Sequence, residues 1–362
     1  MNPLVKLNEL GQSIWLDFFH REIMNSGALQ KLLDDDKLAG ITSNPSIFEQ
    51  AIASGSDYDE DIRTLSRESS DPETIFFKFA AEDIRRAADF LKPVYDRTRG
   101  NDGFVSLEVS PFLAKNEEGT VSQAIELWKA VGRENVMIKI PGTKEGIRAI
   151  RRVTAEGIHV NVTLLFGLER YKEVVHAYLN GLEDRLKSGN PIDKVRSVAS
   201  FFLSRIDVLL DPQLIEKGLK NLAGEIAVAS AKTAYQIYLD LFGNERFKKL
   251  EDRGASPQRL LWASTGTKNP MYSDVKYVEP LIGQNTVNTL PLGTIDAFRD
   301  HGKAALTIQK DINKSANHLE LLKEHGFDLN QISDQLEAEG IEKFNDSFRS
   351  LLKAIEEKAA VV

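Results

Sequence analysis

Val136-Met137-Ile138-Lys139-Ile140 is an apolar run broken by a single lysine and closed by Pro141-Gly142-Thr143. Apart from the lysine it shows no alternation of polar and apolar residues, so it reads as a strand covered on both faces, as in a parallel sheet. Runs of the same kind recur at 14–19, 40–43, 103–109, 159–166, 198–205, 260–264 and 288–291. Between them lie segments of helical periodicity, such as Ile75, Phe79, Ala80, Ile84, Ala87, Ala88 and Leu91, spaced by three and four residues. Asp71-Pro72 reads as a helix N-cap with proline in the first turn, and Ser46-Ile47-Phe48-Glu49 as a capping box. Strand followed by helix, repeated, predicts an α/β fold with a parallel sheet, either a barrel or a doubly wound sheet.

Length favours the barrel. Eight units within about 290 residues match a (β/α)8 TIM barrel, whose usual size is about 250 residues, and leave roughly 110 for additional helices. These are expected in the loops and at the C-terminus, at about 45–100, 210–258 and 300–360, within one barrel domain spanning 1–362. The chain has 362 residues, 42% hydrophobic and 28% charged, the composition of a globular protein with a full core. Lys and Arg number 46 against 54 Asp and Glu, a formal net charge of -8, so no general basic field draws nucleic acid or an anionic membrane. An anionic substrate must meet a local cationic pocket. Zero cysteines exclude disulfides, thiolate nucleophiles and cysteine-ligated metal. Residues 1–9 lack the basic start and apolar run of a secretory signal, and no stretch approaches the roughly 18 apolar residues of a membrane span, so a cytoplasmic location is expected.

Three strands carry an ionisable residue inside their apolar run: Asp17 in the first, Glu108 in the third and Lys139 in the fourth. Alternation along a strand puts Phe104, Ser106 and Glu108 on one face, as it does Met137 with Lys139, Asn161 with Thr163, and Ser200 with Phe202. In a barrel the aliphatic faces meet the helices and the polar residues near the strands' C-terminal ends converge on the mouth, where such barrels keep their active sites. Each residue also has a structural reading: Lys139 as edge protection, Asp17 as a helix cap, Glu108 as an arginine partner, Thr163 as an ordinary β-branched strand residue. Jointly they are hard to explain as structure, because each buried charge needs its own compensation. A lysine amine in a dry lumen is a nucleophile toward a carbonyl, which predicts a Schiff base, and neighbouring carboxylates supply the proton transfers it requires. No metal or other cofactor is needed.

Gly40-Ile41-Thr42-Ser43-Asn44-Pro45-Ser46-Ile47-Phe48 resembles the N-terminal signature of the transaldolases. Val136-Met137-Ile138-Lys139-Ile140-Pro141-Gly142-Thr143, followed by Glu145-Gly146-Ile147, resembles their second signature, which carries the Schiff-base lysine. Asn161-Val162-Thr163-Leu164-Leu165-Phe166 and Ser200-Phe201-Phe202-Leu203-Ser204-Arg205-Ile206-Asp207 are similar too, in the family's order, so the resemblance runs from about Asp17 to Ser264. It implies transfer of a dihydroxyacetone unit from a ketose phosphate to an aldose phosphate in the pentose phosphate pathway. By the same resemblance Lys139 attacks the C2 carbonyl, Asp17 takes the C4 hydroxyl proton, Glu108 and Thr163 hold a water, and Asn44 and Ser200 bind the dihydroxyacetone moiety. Arg205 matches the phosphate-binding arginine. Where many members place a second one, after an Ala-Ser pair, this chain reads Ala263-Ser264-Thr265-Gly266-Thr267-Lys268, and Lys268 is expected to take that role. The expected partners are sugar phosphates, with the chain a monomer or homodimer.

Two rivals follow. A fructose 6-phosphate aldolase of the same superfamily releases dihydroxyacetone, and such enzymes resemble shorter chains with tyrosine in place of Phe202 and glutamine in place of Glu108. A non-catalytic sugar-phosphate-binding barrel would have lost Lys139, Asp17 or Glu108. His159 at the start of a strand reads as a structural hydrogen-bonding residue, and Asp34-Asp35-Asp36 as a solvated helix end.

Overall fold

The computed structural model describes residues 2–360. Eight strands, β1 (Gln12–Asp17), β2 (Gly40–Thr42), β3 (Phe104–Glu108), β4 (Val136–Pro141), β5 (Val160–Leu165), β6 (Ser197–Phe202), β7 (Arg259–Ala263) and β8 (Thr286–Leu290), pair in chain order. All pairings are parallel, and β8 closes onto β1. The fold is therefore the (β/α)8 barrel that the repeated apolar runs predict.

Helix α1 (Pro3–Glu9) precedes the barrel, and α2 (Arg21–Asn25) and α3 (Ala28–Asp35) follow β1. Between β2 and β3 stand α4 (Pro45–Ser54), α5 (Asp59–Leu65) and the long α6 (Pro72–Arg97). Single helices follow the next three strands: α7 (Glu117–Val131), α8 (Lys144–Ala155) and α9 (Leu168–Lys187). Helices α10 (Ser204–Glu216), α11 (Ile226–Gly243) and α12 (Glu245–Glu251) lie between β6 and β7, and α13 (Leu292–His301), α14 (Ile312–Glu324) and α15 (Leu329–Ala360) follow β8. Among the described residues no helix is long and apolar enough to cross a membrane.

The strand residues that alternate with the polar ones, including Ile14, Leu16, Ile41, Val105, Leu107, Ile138, Ile140, Val160 and Val162, are fully buried beneath the helices. Each such side chain contributes about 1.5–3 kcal/mol on burial, and together they fix the register that aims Asp17, Glu108 and Lys139 into the lumen. Asp71 caps α6 as its sequence indicates, accepting from the Thr74 N–H at 3.0 Å with Pro72 in the first turn.

Four local expectations need correction. The cap of α4 is Asn44, not Ser46: with Pro45 at the first helical position, the Asn44 side chain accepts from the Ile47 N–H at 3.1 Å. Strand β6 stops at Phe202, because Leu203 turns into the helical region and its N–H donates to the Ala263 carbonyl, so Arg205 sits in the first turn of α10. The two strands that close the barrel both start two residues early, β8 at Thr286 and β1 at Gln12, and β1 ends at Asp17 and not at Phe19. Asp36 is not solvated; it is buried, and its carboxylate accepts from Arg299 at 2.9 and 2.6 Å and from Asn2 at 2.7 Å, tying α13 and the chain before α1 to the end of α3.

Helix α15 crosses the C-terminal end of the barrel, touching β5, α10, α4, α5 and α6. Phe348 on it meets Phe76 and Phe112 edge-on, with ring centroids 5.5 and 5.3 Å away. Its far end is held by Lys358, which donates to the Gly55 carbonyl and pairs with Asp59. The close approach depends on Gly340, where a Cβ would stand 3.0 Å from Leu164 Cδ2 and 3.3 Å from Arg205 Nη1.

Candidate active site

Lys139 and Glu108 are direct neighbours across the β3–β4 ladder, Glu108 as the last residue of β3 and Lys139 two residues before the end of β4. Lys139 Nζ lies 3.2 Å from Glu108 Oε2 as an ion pair, and it donates a hydrogen bond to the Ser43 carbonyl at 2.8 Å. Both side chains are about 95% removed from solvent, with 6% and 5% exposure. The amine is thus held at one point by two oxygens, one on the β2–α4 turn and one on β3. Burial pushes the Glu108 carboxyl above the ordinary glutamate range, against the pull of Lys139, and the charge of Asp17 pushes it the same way. Apart from the Lys139 ion pair, among the described residues neither oxygen of Glu108 nor Oγ1 of Thr163 has a hydrogen-bond partner, although all three atoms are buried. Thr163 stands opposite Pro141, two residues above Lys139 on β4, at a bulge in β5 where Leu164 takes φ +56°. A leucine in the left-handed region stores backbone strain of about 1–3 kcal/mol, and here it directs the end of β5 beneath α15.

Asp17 ends β1 opposite Thr42, whose Oγ1 donates to Asp17 Oδ1 at 3.0 Å and lies 2.8 Å from Thr289 Oγ1. Its surface is partly open to the mouth, yet enough protein surrounds it that burial pushes its pKa up from 3.8. Lys139, the Thr42 hydrogen bond, Lys268 and Arg205 pull in the opposite direction, in that order. An acid placed between burial and several cations is poised to exchange a proton.

Below this layer Ser200 Oγ donates to Asn161 Oδ1 at 2.7 Å, and Asn161 Nδ2 donates to Ser106 Oγ at 3.0 Å, a polar girdle across β6, β5 and β3. Asn44 lies at the mouth on the β2–α4 turn; Oδ1 is occupied by its capping bond, and among the described residues Nδ2 has no partner. Phe202 faces Phe166 at 5.2 Å between ring centroids. The Arg205 guanidinium lies 5.5 Å from the Phe202 ring and 6.0 Å from that of Phe344 on α15, half-buried and, among the described residues, without an ion pair. Lys268, on the 264–285 segment after β7, is exposed, and its charge reaches Asp17.

Every residue that the sequence singles out for the site therefore lies at or just below the C-terminal mouth. Sequence reasoning did not single out Thr42, the hydrogen-bond donor to Asp17, or Ser43, whose carbonyl holds the lysine. Both lie in the apolar run 40–43, where a lumen-facing threonine beside an acid-bearing strand was the available signal. His159 sits at the opposite end, buried, with Nε2 2.9 Å from the Glu134 carbonyl and Nδ1 accepting from the Arg196 N–H at 3.1 Å, in keeping with a structural role.

A parallel barrel whose C-terminal mouth holds a buried lysine amine beside a carboxylate has the architecture of an enzyme acting on a carbonyl compound. Residues 14–355 match the family model described as Transaldolase/Fructose-6-phosphate aldolase. Among curated proteins, the chain is 48% identical over 370 residues to "Transaldolase" of Trichodesmium erythraeum (strain IMS101), covering 99% of this chain and 97% of that one. It is 44% identical over 358 residues to "Transaldolase" of Thiobacillus denitrificans (strain ATCC 25259 / T1), covering 98% and 100%, and 44% identical to "Transaldolase 2" of Nostoc punctiforme (strain ATCC 29133 / PCC 73102), covering 100% and 98%. The chain belongs to the transaldolase/fructose-6-phosphate aldolase family. It is an enzyme of the transferase kind.

Proposed function

We propose that this barrel transfers a dihydroxyacetone unit from sedoheptulose 7-phosphate or fructose 6-phosphate to glyceraldehyde 3-phosphate or erythrose 4-phosphate, in the non-oxidative pentose phosphate pathway. The observation that carries the reading is the placement of Lys139 Nζ, buried between the Ser43 carbonyl and Glu108 at the mouth. Lys139 attacks the C2 carbonyl of the ketose to give a carbinolamine. Glu108 and Thr163, whose side-chain oxygens have no hydrogen-bond partner among the described residues, hold the water and pass the protons as the carbinolamine loses hydroxide and becomes an iminium. Asp17 then takes the C4 hydroxyl proton, the C3–C4 bond breaks, the aldose phosphate leaves, and the electron pair stays on the three-carbon unit as an enamine. Asn44 and Ser200 hold that unit until an acceptor aldehyde arrives and the steps reverse. Arg205 and Lys268 receive the substrate's phosphate, a local positive pole in a chain of net charge -8.

The full barrel and its added helices act as one unit in this reading, in the cytoplasm where phosphorylated sugars are held, as a monomer or homodimer. Phe202 and Glu108, in place of the tyrosine and glutamine of the aldolases it resembles, favour transfer over release.

Borohydride reduction in the presence of fructose 6-phosphate tests the centre directly. A three-carbon adduct on the peptide that contains Lys139, absent from Lys139→Met, is the expected result. A folded protein without the adduct would overturn the Schiff-base assignment on this donor.

A further inference from the structure

The phosphate end of the mouth has a wall that comes from outside the barrel. The Arg205 guanidinium rests against one stripe of α15: a Cβ on Gly340 would meet Nη1 at 3.3 Å, and the Phe344 ring lies 6.0 Å from its central carbon. Lys343 lies on the same stripe, three residues beyond Gly340 and next to Phe344. Its side chain is exposed, and among the described residues it forms no ion pair. The charge of Arg205, then burial, then the charge of Lys268 all push the Lys343 ammonium toward its neutral form, so the three cations lie within one another's field. Glu339, the acid of α15 whose charge reaches Arg205, is exposed, accepts from Gln335 at 2.7 Å, and among the described residues makes no ion pair with Arg205. Three cations from three separate elements converge there; the charges of Asp17 and Glu339 reach Arg205, but among the described residues neither acid forms an ion pair with any of the three. Such a cluster costs self-repulsion in the free protein and gains it back when a dianion enters.

We propose that Lys343 is a third cation of the phosphate site, so that the C-terminal helix α15 supplies one wall of the cradle that holds the terminal phosphate of the sugar. This rests on the phosphate role given above to Arg205 and Lys268. It also explains the anchoring of α15 on both sides of the contact. Ser347 Oγ lies 2.7 Å from Ser46 Oγ on α4, Phe348 meets Phe76 of α6 edge-on, and Lys358 ties the far end to the α4–α5 region, so Lys343 is carried on a fixed element and not on a loose end.

The test uses the full chain and inorganic phosphate as probe, read by the rise in Tm with phosphate concentration, which requires no turnover. In parallel, KM and kcat are measured for fructose 6-phosphate with erythrose 4-phosphate as acceptor. Lys343→Gln is expected to weaken phosphate binding and raise KM about five- to twentyfold, with kcat within about twofold, as for loss of one charge-assisted contact. Lys343→Arg should restore both values, which a merely structural role for the side chain would not require. Unchanged phosphate binding in Lys343→Gln, or no response of the parent protein to phosphate, overturns the proposal. A missing borohydride adduct at Lys139 together with a normal phosphate response would instead overturn the catalytic reading and leave the cradle standing.

Discussion

The barrel buries a carboxylate at each of its ends, and the two are treated in opposite ways. At the base, Asp102 accepts from Ser13 Oγ at 2.7 Å, from Trp15 Nε1 at 3.2 Å and from Arg259 Nη2 at 2.9 Å, so both of its oxygens are occupied. At the mouth, among the described residues, Glu108 has a single ion pair with Lys139 and no further hydrogen bond on either oxygen. Burying a carboxylate costs several kcal/mol unless hydrogen bonds and counter-charge return it. The base returns it in full and locks β1, β7 and the turn before β3 together. The mouth leaves it partly unreturned, and that deficit is available to a water or a substrate. Stability is built at the N-terminal ends of the strands and chemistry at the C-terminal ends, as the barrel architecture expects.

Exchange of the two acids separates these roles most sharply. Glu108→Gln should lower kcat by about 10²- to 10⁴-fold, the range of a lost general acid or base, and lower Tm by less than Asp102→Ala does, because it breaks one ion pair, with Lys139, and no network of hydrogen bonds. Asp102→Ala should behave in reverse, costing about 3 kcal/mol by leaving Arg259 unpaired, with the kcat of the folded fraction within a few-fold of the parent. Urea titration and steady-state rates on both variants check the pair. A Glu108→Gln protein that unfolds as readily as Asp102→Ala would erase the distinction.

Proton exchange sharpens the same contrast. The His159 ring is buried against Phe104 and Trp128 near the base, and burial drives its pKa down to about 3 from the ordinary 6.5. The unfolded chain then binds a proton that the folded chain refuses, so stability is complete above about pH 6.5 and is lost as pH falls toward 3. The slope contributed is roughly 1.4 kcal/mol per pH unit. Denaturation between pH 7 and 5 should show it, with a flatter dependence in His159→Phe. Asp17 has the opposite sign: its raised pKa means the ionised form is the costly one, and its contribution to stability is lost as pH rises from 3.8 through its folded value. Removing the hydroxyl that favours the ionised form, in Thr42→Val, should raise the Asp17 pKa further and move the acid limb of kcat/KM to higher pH. An unmoved limb would detach Asp17 from the rate-limiting proton transfer.

The barrel was legible because strands covered on both faces must be continuously apolar, and a charge inside such a run is conspicuous. That made Asp17, Glu108 and Lys139 readable from their own strands. Arg205 was readable as a residue but not as a position: the apolar run 198–205 conceals the turn at Leu203 that moves it from strand to helix. Asn44 shows the same limit, since a capping signal at Ser46 competes with the Asn-Pro pair just before it, and the fixed φ of proline at the first helical position decides for Asn44. Asp36 and Lys343 were illegible for a different reason. Asp36 meets Arg299, 263 residues away, and the α15 stripe that carries Lys343 faces Arg205 on α10, and an amphipathic pattern tells which face of a helix is buried without telling what it is buried against.

The smallest effect concerns the aromatic wall of the mouth, and it asks whether the open end is dry by design. Phe202 stands on β6, 8% exposed, with its ring between Phe166 and the Arg205 guanidinium. It offers no hydrogen bond to a water approaching the enamine that Lys139 would carry, whereas a phenol in its place offers both a donor and an acceptor. Phe202→Tyr should therefore shift the partition of the three-carbon intermediate from transfer toward release of free dihydroxyacetone by a few-fold. Product ratios at fixed acceptor concentration measure this, with kcat for donor cleavage little changed because the groups around Lys139 remain. A ratio identical to that of the parent protein would show that the Phe202 ring does not border the intermediate. In that case the fate of the enamine would have to be set by Glu108 and Thr163, the groups that hold water at the mouth in the proposed mechanism.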